Sequence, residues 1–203
     1  KREVEECLLL PLLHPGVFSH IVEGTRHDTA SIRPKALLLH GPPGTGKTSC
    51  ALAIANRSHL PLVYLPLEAL ASKWYGEGER KLSEAFEACA ALGSGQGTVL
   101  LFLDELDALA GSRDDGSMHE ATRRTLSVLL RKLDGLEHRG VEASTGGGGG
   151  ADDDDDDVGE VVVVGATNRQ QDLAAALLSR FDVAIAFPRP STDHRAAMSA
   201  RYA

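Results

Sequence analysis

The sequence predicts an α/β domain in which a parallel sheet alternates with helices. Short runs dominated by apolar residues, at 36–39, 62–65, 99–103, 160–164 and 183–187, alternate with longer segments whose apolar residues recur at helical spacing. The runs are apolar nearly throughout rather than at every second position, as in strands buried on both faces. One stretch then places a ligand. Gly41, Pro42, Pro43, Gly44, Thr45, Gly46, Lys47 and Thr48 follow the first apolar run and precede good helix formers at 49–56. Strand, glycine-rich loop and helix form the setting in which G-x-x-x-x-G-K-[ST] means a phosphate site.

At 203 residues the chain fits one such domain, and its 42% apolar content is ample for a core. The net charge of −8 is inflated by one run, and without Asp152 to Asp157 it would be −2. The acidic balance therefore says little about partners, and no basic patch argues for nucleic acid. Cys7, Cys50 and Cys89 are odd in number and widely spaced, with no C-x-x-C pair to suggest zinc. The last two fall on predicted helical faces as buried free thiols, so an intracellular, reducing compartment is expected. No apolar run approaches the ~20 residues a membrane-spanning helix needs. The chain starts at Lys1 rather than Met and reads as a piece of a longer protein.

In chain order, residues 2–13 are rich in Glu and Leu and predict a helix, and Val17, Phe18, Ile21 and Val22 form a second apolar patch. Pro34 marks the start of the first strand. After the loop, the helix over 49–56 is expected to present Leu52 and Ala55 to a core. The segment 76–92 carries Leu82, Ala85, Phe86 and Cys89, the stripe of an amphipathic helix, and ends in a Gly-Ser-Gly turn before the third strand. A helix over 120–133 carries Leu126, Leu129, Leu130 and Leu133, with Glu120 and Arg124 one turn apart and able to pair. Residues 141–159 hold five glycines and six aspartates in a row, cannot bury a core, and are expected to be a disordered insert. Residues 173–178 predict a short helix, and Asp193 the cap of another.

The glycines of 41–48 remove Cβ atoms, so consecutive N–H groups can turn around an anion, and the helix after Gly46 adds its positive end. Lys47 supplies a point charge for β- and γ-phosphates, and Thr48 a hydroxyl for Mg²⁺. A glycine-rich turn that binds nothing would not require eight fixed positions with both flanks correct. Asp104 and Glu105 follow four strong strand formers, which puts both carboxylates at the carboxyl end of a strand, where ligands of such sheets lie. Phosphoryl transfer needs Mg²⁺ held and a water oriented or deprotonated, and Asp104 suits the first task and Glu105 the second. An acidic pair after one strand could equally be a solvated strand end. The phosphate loop upstream favours the catalytic reading.

With these residues in view, the sequence resembles the ATPase core of AAA+ proteins, in the branch that includes the katanin, spastin and FtsH types. GPPGTGKT (41–48) is similar to that family's Walker A, LLFLDELDAL (100–109) to its Walker B, and VVVVGATN (161–168) to its sensor-1 strand. LLRKLDGL (129–136) is similar to the segment that senses the neighbouring subunit. The resemblance implies a three-layer P-loop NTPase domain with a five-stranded parallel sheet of order 5-1-4-3-2, ATP and Mg²⁺ as ligands, and a nucleotide site over 41–49 that includes Ser49. It gives Asn168 the task of holding the water near the γ-phosphate. Arg180, in Ser-Arg-Phe-Asp, matches an arginine finger that reaches the nucleotide of the adjacent subunit, although Val183 stands where many relatives carry a second arginine. Without the resemblance, Arg180 reads as a surface ion pair with Asp182. Trp74 and Tyr75, in Lys-Trp-Tyr-Gly, resemble the first pore loop, whose aromatic grips extended polypeptide. On residue type alone, Trp74 would fold back onto the helix bearing Leu82 and Phe86. Residues 111–119 match the second pore loop in position only.

The expected organisation is a helical lead-in over 1–34, an ATPase core over 35–190 interrupted by the insert at 141–159, and the start of a truncated helical lid over 191–203. The expected function is ATP hydrolysis in a homo-oligomeric ring, a hexamer, that remodels or threads polypeptide, with no nucleic acid among the partners. Two alternatives belong to other classes: a scaffold whose assembly ATP gates, and a loader or motor on nucleic acid.

Overall fold

A computed structural model of the chain describes Val4 and residues 9–13, 34–70, 76–110, 116–142 and 160–192. Five strands, β1 (Ala36–His40), β2 (Leu62–Pro66), β3 (Val99–Asp104), β4 (Val161–Thr167) and β5 (Val183–Ala186), pair in parallel. Their order is β2-β3-β4-β1-β5, which is the expected 5-1-4-3-2 sheet viewed from the opposite edge. The described helices are α1 (Leu10–Leu13), α2 (Lys47–Ser58), α3 (Glu77–Gln96), α4 (Gly116–Glu142) and α5 (Ala175–Leu178).

Alternation along the central strands divides the core in two. Ala36, Leu38, Leu101, Leu103, Val161 and Val163 face α3 and α4, where Leu82, Phe86, Cys89, Leu129 and Leu133 are buried. Leu37, Leu39, Leu100, Phe102, Val162 and Val164 face the other way, against Ala51, Ile54 and Ala55 of α2 and against Val4 and Leu9. Leu37, Leu38, Leu39, Leu101, Phe102 and Leu103 are fully inaccessible, which explains why these strands read as unbroken apolar runs.

Several boundaries differ from expectation. Ala55 is buried as expected, but Leu52 is 47% exposed, because the face of α2 that packs on the sheet carries Ala51, Ile54 and Ala55. Helix α3 runs through Gly93, Ser94 and Gly95 without a turn. The Ser94 hydroxyl donates back to the Ala90 carbonyl at 2.9 Å, and the helix stops at Gly97, whose φ is 83°. Helix α4 is longer at both ends than its leucine stripe indicates and includes residues 141 and 142, which the composition assigned to the insert. The Glu120–Arg124 pair does form on it. Strand β4 continues past Val164 through Gly165, Ala166 and Thr167. A Cβ on Gly165 would lie 2.6 Å from Leu106 Cδ1 and 2.9 Å from Phe181 Cζ, so this glycine serves close packing rather than a turn. The segment at 173–178 is helical over four residues only. The apolar patch around Phe18, the cap at Asp193 and residues 143–159 of the insert lie outside the described residues.

In a parallel sheet all carboxyl ends share one edge. Here His40, Pro66, Asp104 and Thr167 end their strands together, and the register pairs His40 with Thr167 and Pro66 with Asp104. The loop after β1 therefore lies beside the ends of β3 and β4.

Candidate active site

The loop from Gly41 to Gly46 is built by glycine. Gly41 passes so close to the chain after β5 that a Cβ would sit 2.2 Å from the Phe187 carbonyl oxygen. Gly46 is left-handed, with φ 93°, and stands at the N-cap of α2 with no side chain to cap it. The first intrahelical bond is Cys50 N–H to the Gly46 carbonyl, 2.9 Å, so the N–H groups ahead of it face out of the helix end toward an anion. Thr45 braces the loop by donating its hydroxyl to the Pro42 carbonyl at 2.9 Å.

Lys47 is 7% exposed and points inward under the loop. Its ammonium donates to the carbonyls of Gly41 (2.8 Å) and Pro42 (2.9 Å) and to Asn168 Oδ1 (2.8 Å). Burial lowers its pKa, against the opposing pull of the Asp104 and Asp107 carboxylates. Thr48, one residue on, donates its hydroxyl to Asp104 Oδ2 at 2.9 Å. Two oxygens from α2 and β3 thus meet, a donor set suited to a hard cation. Among the described residues, no group of three or more His, Cys, Asp or Glu could hold a metal by itself. Mg²⁺ at phosphate sites is commonly held by one or two protein oxygens together with substrate phosphates, as the Thr48 and Asp104 oxygens could provide. Ser49 is exposed at the same helix end, consistent with the nucleotide set over 41–49.

Glu105 leaves the strand with φ 60°, an uncommon conformation for a residue with a Cβ, and its N–H donates to Asp104 Oδ1 at 3.0 Å. The chain then enters the short 3₁₀ segment Leu106–Ala110. Desolvation raises the Glu105 pKa, and the charge and hydrogen bond of Glu68 and the charges of Asp104 and Asp107 raise it further. The site thus gathers four carboxylates beside one buried ammonium.

Asp104, Glu105, Lys47, Thr48 and Asn168, all anticipated, come together at this edge. Arg180 does not. Its guanidinium forms a fork on Asp134 of α4, Nε to Oδ1 at 2.8 Å and Nη2 to Oδ2 at 3.1 Å. Asp182, the partner that residue type alone suggested for Arg180, accepts with Oδ2 the N–H groups of Lys35 (2.7 Å) and Ala36 (2.9 Å) at the start of β1. Trp74 and Tyr75 lie outside the described residues.

Three participants were missed. Asp107 accepts from the Thr167 hydroxyl (3.0 Å) and the Asn168 N–H (3.2 Å). Burial works against its charge, but these two donors, its own N–H and Arg169 hold its pKa below the ordinary carboxylate value. Its position three residues after Asp104, the reach of one tight turn, was the available signal. Glu68 and Tyr64, the latter 3.5 Å from Asp104 Oδ2 and stacked on Phe102, come from the neighbouring strand and the turn after it. Nothing in the local sequence marks them.

The family described as "ATPase family associated with various cellular activities (AAA)" matches residues 37–189. The chain is 35% identical over 197 residues to a proteasome-activating nucleotidase of Methanospirillum hungatei, covering 95% of this chain and 40% of that protein. It is 38% identical over 140 residues to protein CdcH of Halobacterium salinarum, covering 68% of this chain and 17% of that protein. The crystal structure of the FIGL-1 AAA domain in complex with ADP superposes with a TM-score of 0.69 at 29% identity, over 98% of this chain and 56% of that one. The chain spans less than half the length of these two curated relatives. With its P-loop, its 2-3-4-1-5 sheet and a family match across nearly the whole described core, the chain belongs to the AAA family of ATPases.

Proposed function

We propose that this chain is the ATP-hydrolysing core of a ring-forming protein that remodels or threads polypeptide. The observation that carries the reading is the meeting of Lys47 with Asn168 and of Thr48 with Asp104 at one edge of the sheet. ATP lies along 41–49, its phosphates on the N–H groups of the loop and of the start of α2. Thr48 and Asp104 would hold Mg²⁺, which when bound would offset the charge of the phosphates. To meet the phosphates, Lys47 exchanges its carbonyl partners for phosphate oxygens, and the Asn168 amide is released to the attacking water. Glu105, at the left-handed turn after β3, orients that water and takes its proton. Desolvation and the neighbouring Glu68, Asp104 and Asp107 carboxylates raise its pKa, the direction that favours a general base.

Arg180 acts on the nucleotide of the adjacent copy, and its fork on Asp134 is the resting partner it leaves when that copy docks. A finger supplied across an interface needs a head-to-tail arrangement, here a homo-hexamer. Trp74 and Tyr75 contact the polypeptide in the central channel. Residues 1–34 form the lead-in, 35–190 the core around the 141–159 insert, and 191–203 the start of the lid. The free thiols Cys50 and Cys89 support a reducing, intracellular setting, with burial pushing Cys89 up to about 11.

A steady-state ATPase assay on the full chain, with and without an unfolded polypeptide and with single-stranded DNA, tests the reading. Mg²⁺-dependent turnover that responds to polypeptide is expected. Turnover that responds only to DNA would replace the substrate class, and nucleotide binding without turnover would favour a scaffold.

A further inference from the structure

Among the hydrogen bonds of the described residues, Asp107 meets those assigned to nucleotide or metal only through the backbone of Asn168, while its charge acts on Lys47 and Glu105. It lies in the first turn of the 3₁₀ segment after β3, and its side chain is 13% exposed. One oxygen, Oδ1, accepts both the Thr167 hydroxyl at 3.0 Å and the Asn168 N–H at 3.2 Å. The other faces Arg169 Nε at 3.6 Å, a loose pair with an exposed partner that contributes little. Thr167, 1% exposed, passes the restraint on, because its hydroxyl oxygen accepts the Arg169 N–H at 3.0 Å while its carbonyl accepts the Gly41 N–H at 3.3 Å. The end of β4 is thus tied on one side to the turn that carries Glu105 and on the other to the phosphate loop. The Asn168 side chain is engaged by Lys47 alone in the bonds described.

We infer that Asp107 is a positioning residue for ATP hydrolysis. It fixes the backbone of Asn168 so that the amide can change partner, from Lys47 to the reacting end of the substrate, without the strand end moving. This inference rests on the proposed hydrolytic function. Its physical basis is that an in-line displacement tolerates little misplacement of the groups around the water. An asparagine at 107 retains an acceptor oxygen for both donors, whereas an alanine retains none.

The test compares wild type, Asp107→Ala, Asp107→Asn and Thr167→Val in the full chain by kcat and by ATP affinity. Asp107→Ala is expected to lower kcat by about tenfold or more, as a misplacement of about 1 Å can cost ~10²-fold, with Kd for ATP within about threefold of wild type. Asp107→Asn is expected to recover most of that loss, and Thr167→Val to lose about threefold in kcat alone. If Asp107→Ala does not fold, the other two variants decide. Overturning results are wild-type kcat in Asp107→Ala or Thr167→Val, a loss of affinity that parallels the loss of kcat, or an Asp107→Asn as slow as the alanine. A wild type without turnover would instead contradict the hydrolytic function, and the inference with it.

Discussion

Lys47 directs all three of its ammonium hydrogens at the protein: two at carbonyls of its own loop and one at Asn168. A buried cation is tolerated only when its donors are satisfied, so the loop carbonyls hold the charge where phosphate oxygens will later take it. Replacing Lys47 with alanine removes charge-assisted bonds of about 1.5–3 kcal/mol each. ATP affinity, read by titration with a fluorescent analogue, should fall by about tenfold or more. An unchanged affinity would contradict the placement of phosphate at this loop. The residues that sequence reading found, Lys47, Thr48, Asp104, Glu105 and Asn168, share a property. Each sits at a strand end or helix start, where the fold class alone says which way it faces. Glu68, Tyr64 and Asp107 were missed as participants because their partners lie 37, 40 and 61 positions away in sequence, across the sheet edge.

At the scale of elements, the strands were legible because burial on both faces leaves an unbroken apolar signature. Helix ends were not. Helix α4 extends beyond its leucines at both ends, and α3 continues through two glycines that look like a turn, since neither φ nor capping is written in apolar periodicity. Gly165 shows the same limit inside a strand, where it makes room for Leu106 and Phe181. That packing couples β4 to the 3₁₀ segment that carries Asp107. Gly165→Ala should overpack this junction at a cost of about 1–3 kcal/mol, or roughly 2–10 °C in Tm for a domain of this size. Thermal unfolding followed by circular dichroism measures it, and an unchanged Tm would show that the junction has slack.

At the scale of the molecule, the site in one chain holds a loop, the Thr48–Asp104 pair, the Glu105 carboxylate and the Asn168 amide, while Arg180 is turned away onto Asp134. An arginine finger acting across an interface can contribute ~10³–10⁵ in rate. Arg180→Ala chains should therefore be nearly inactive alone. They should regain turnover when mixed with Glu105→Gln chains, whose Arg180 is intact and can complete the alanine variant's site. If no mixing ratio restores activity, Arg180 does not act on a neighbour. The family resemblance is what implies a ring, whereas the Asp134 fork is visible only in three dimensions, because α4 and the residue after α5 lie 46 positions apart in sequence.

The central claim is that one chain binds ATP at residues 41–49 and that Glu105 drives its hydrolysis. The most direct measurement sets ATP affinity beside turnover in Glu105→Gln. Because general base catalysis contributes about 10²–10⁴-fold, turnover should fall by that factor while affinity stays within about threefold of wild type. Turnover within about twofold of wild type in this variant would contradict the account.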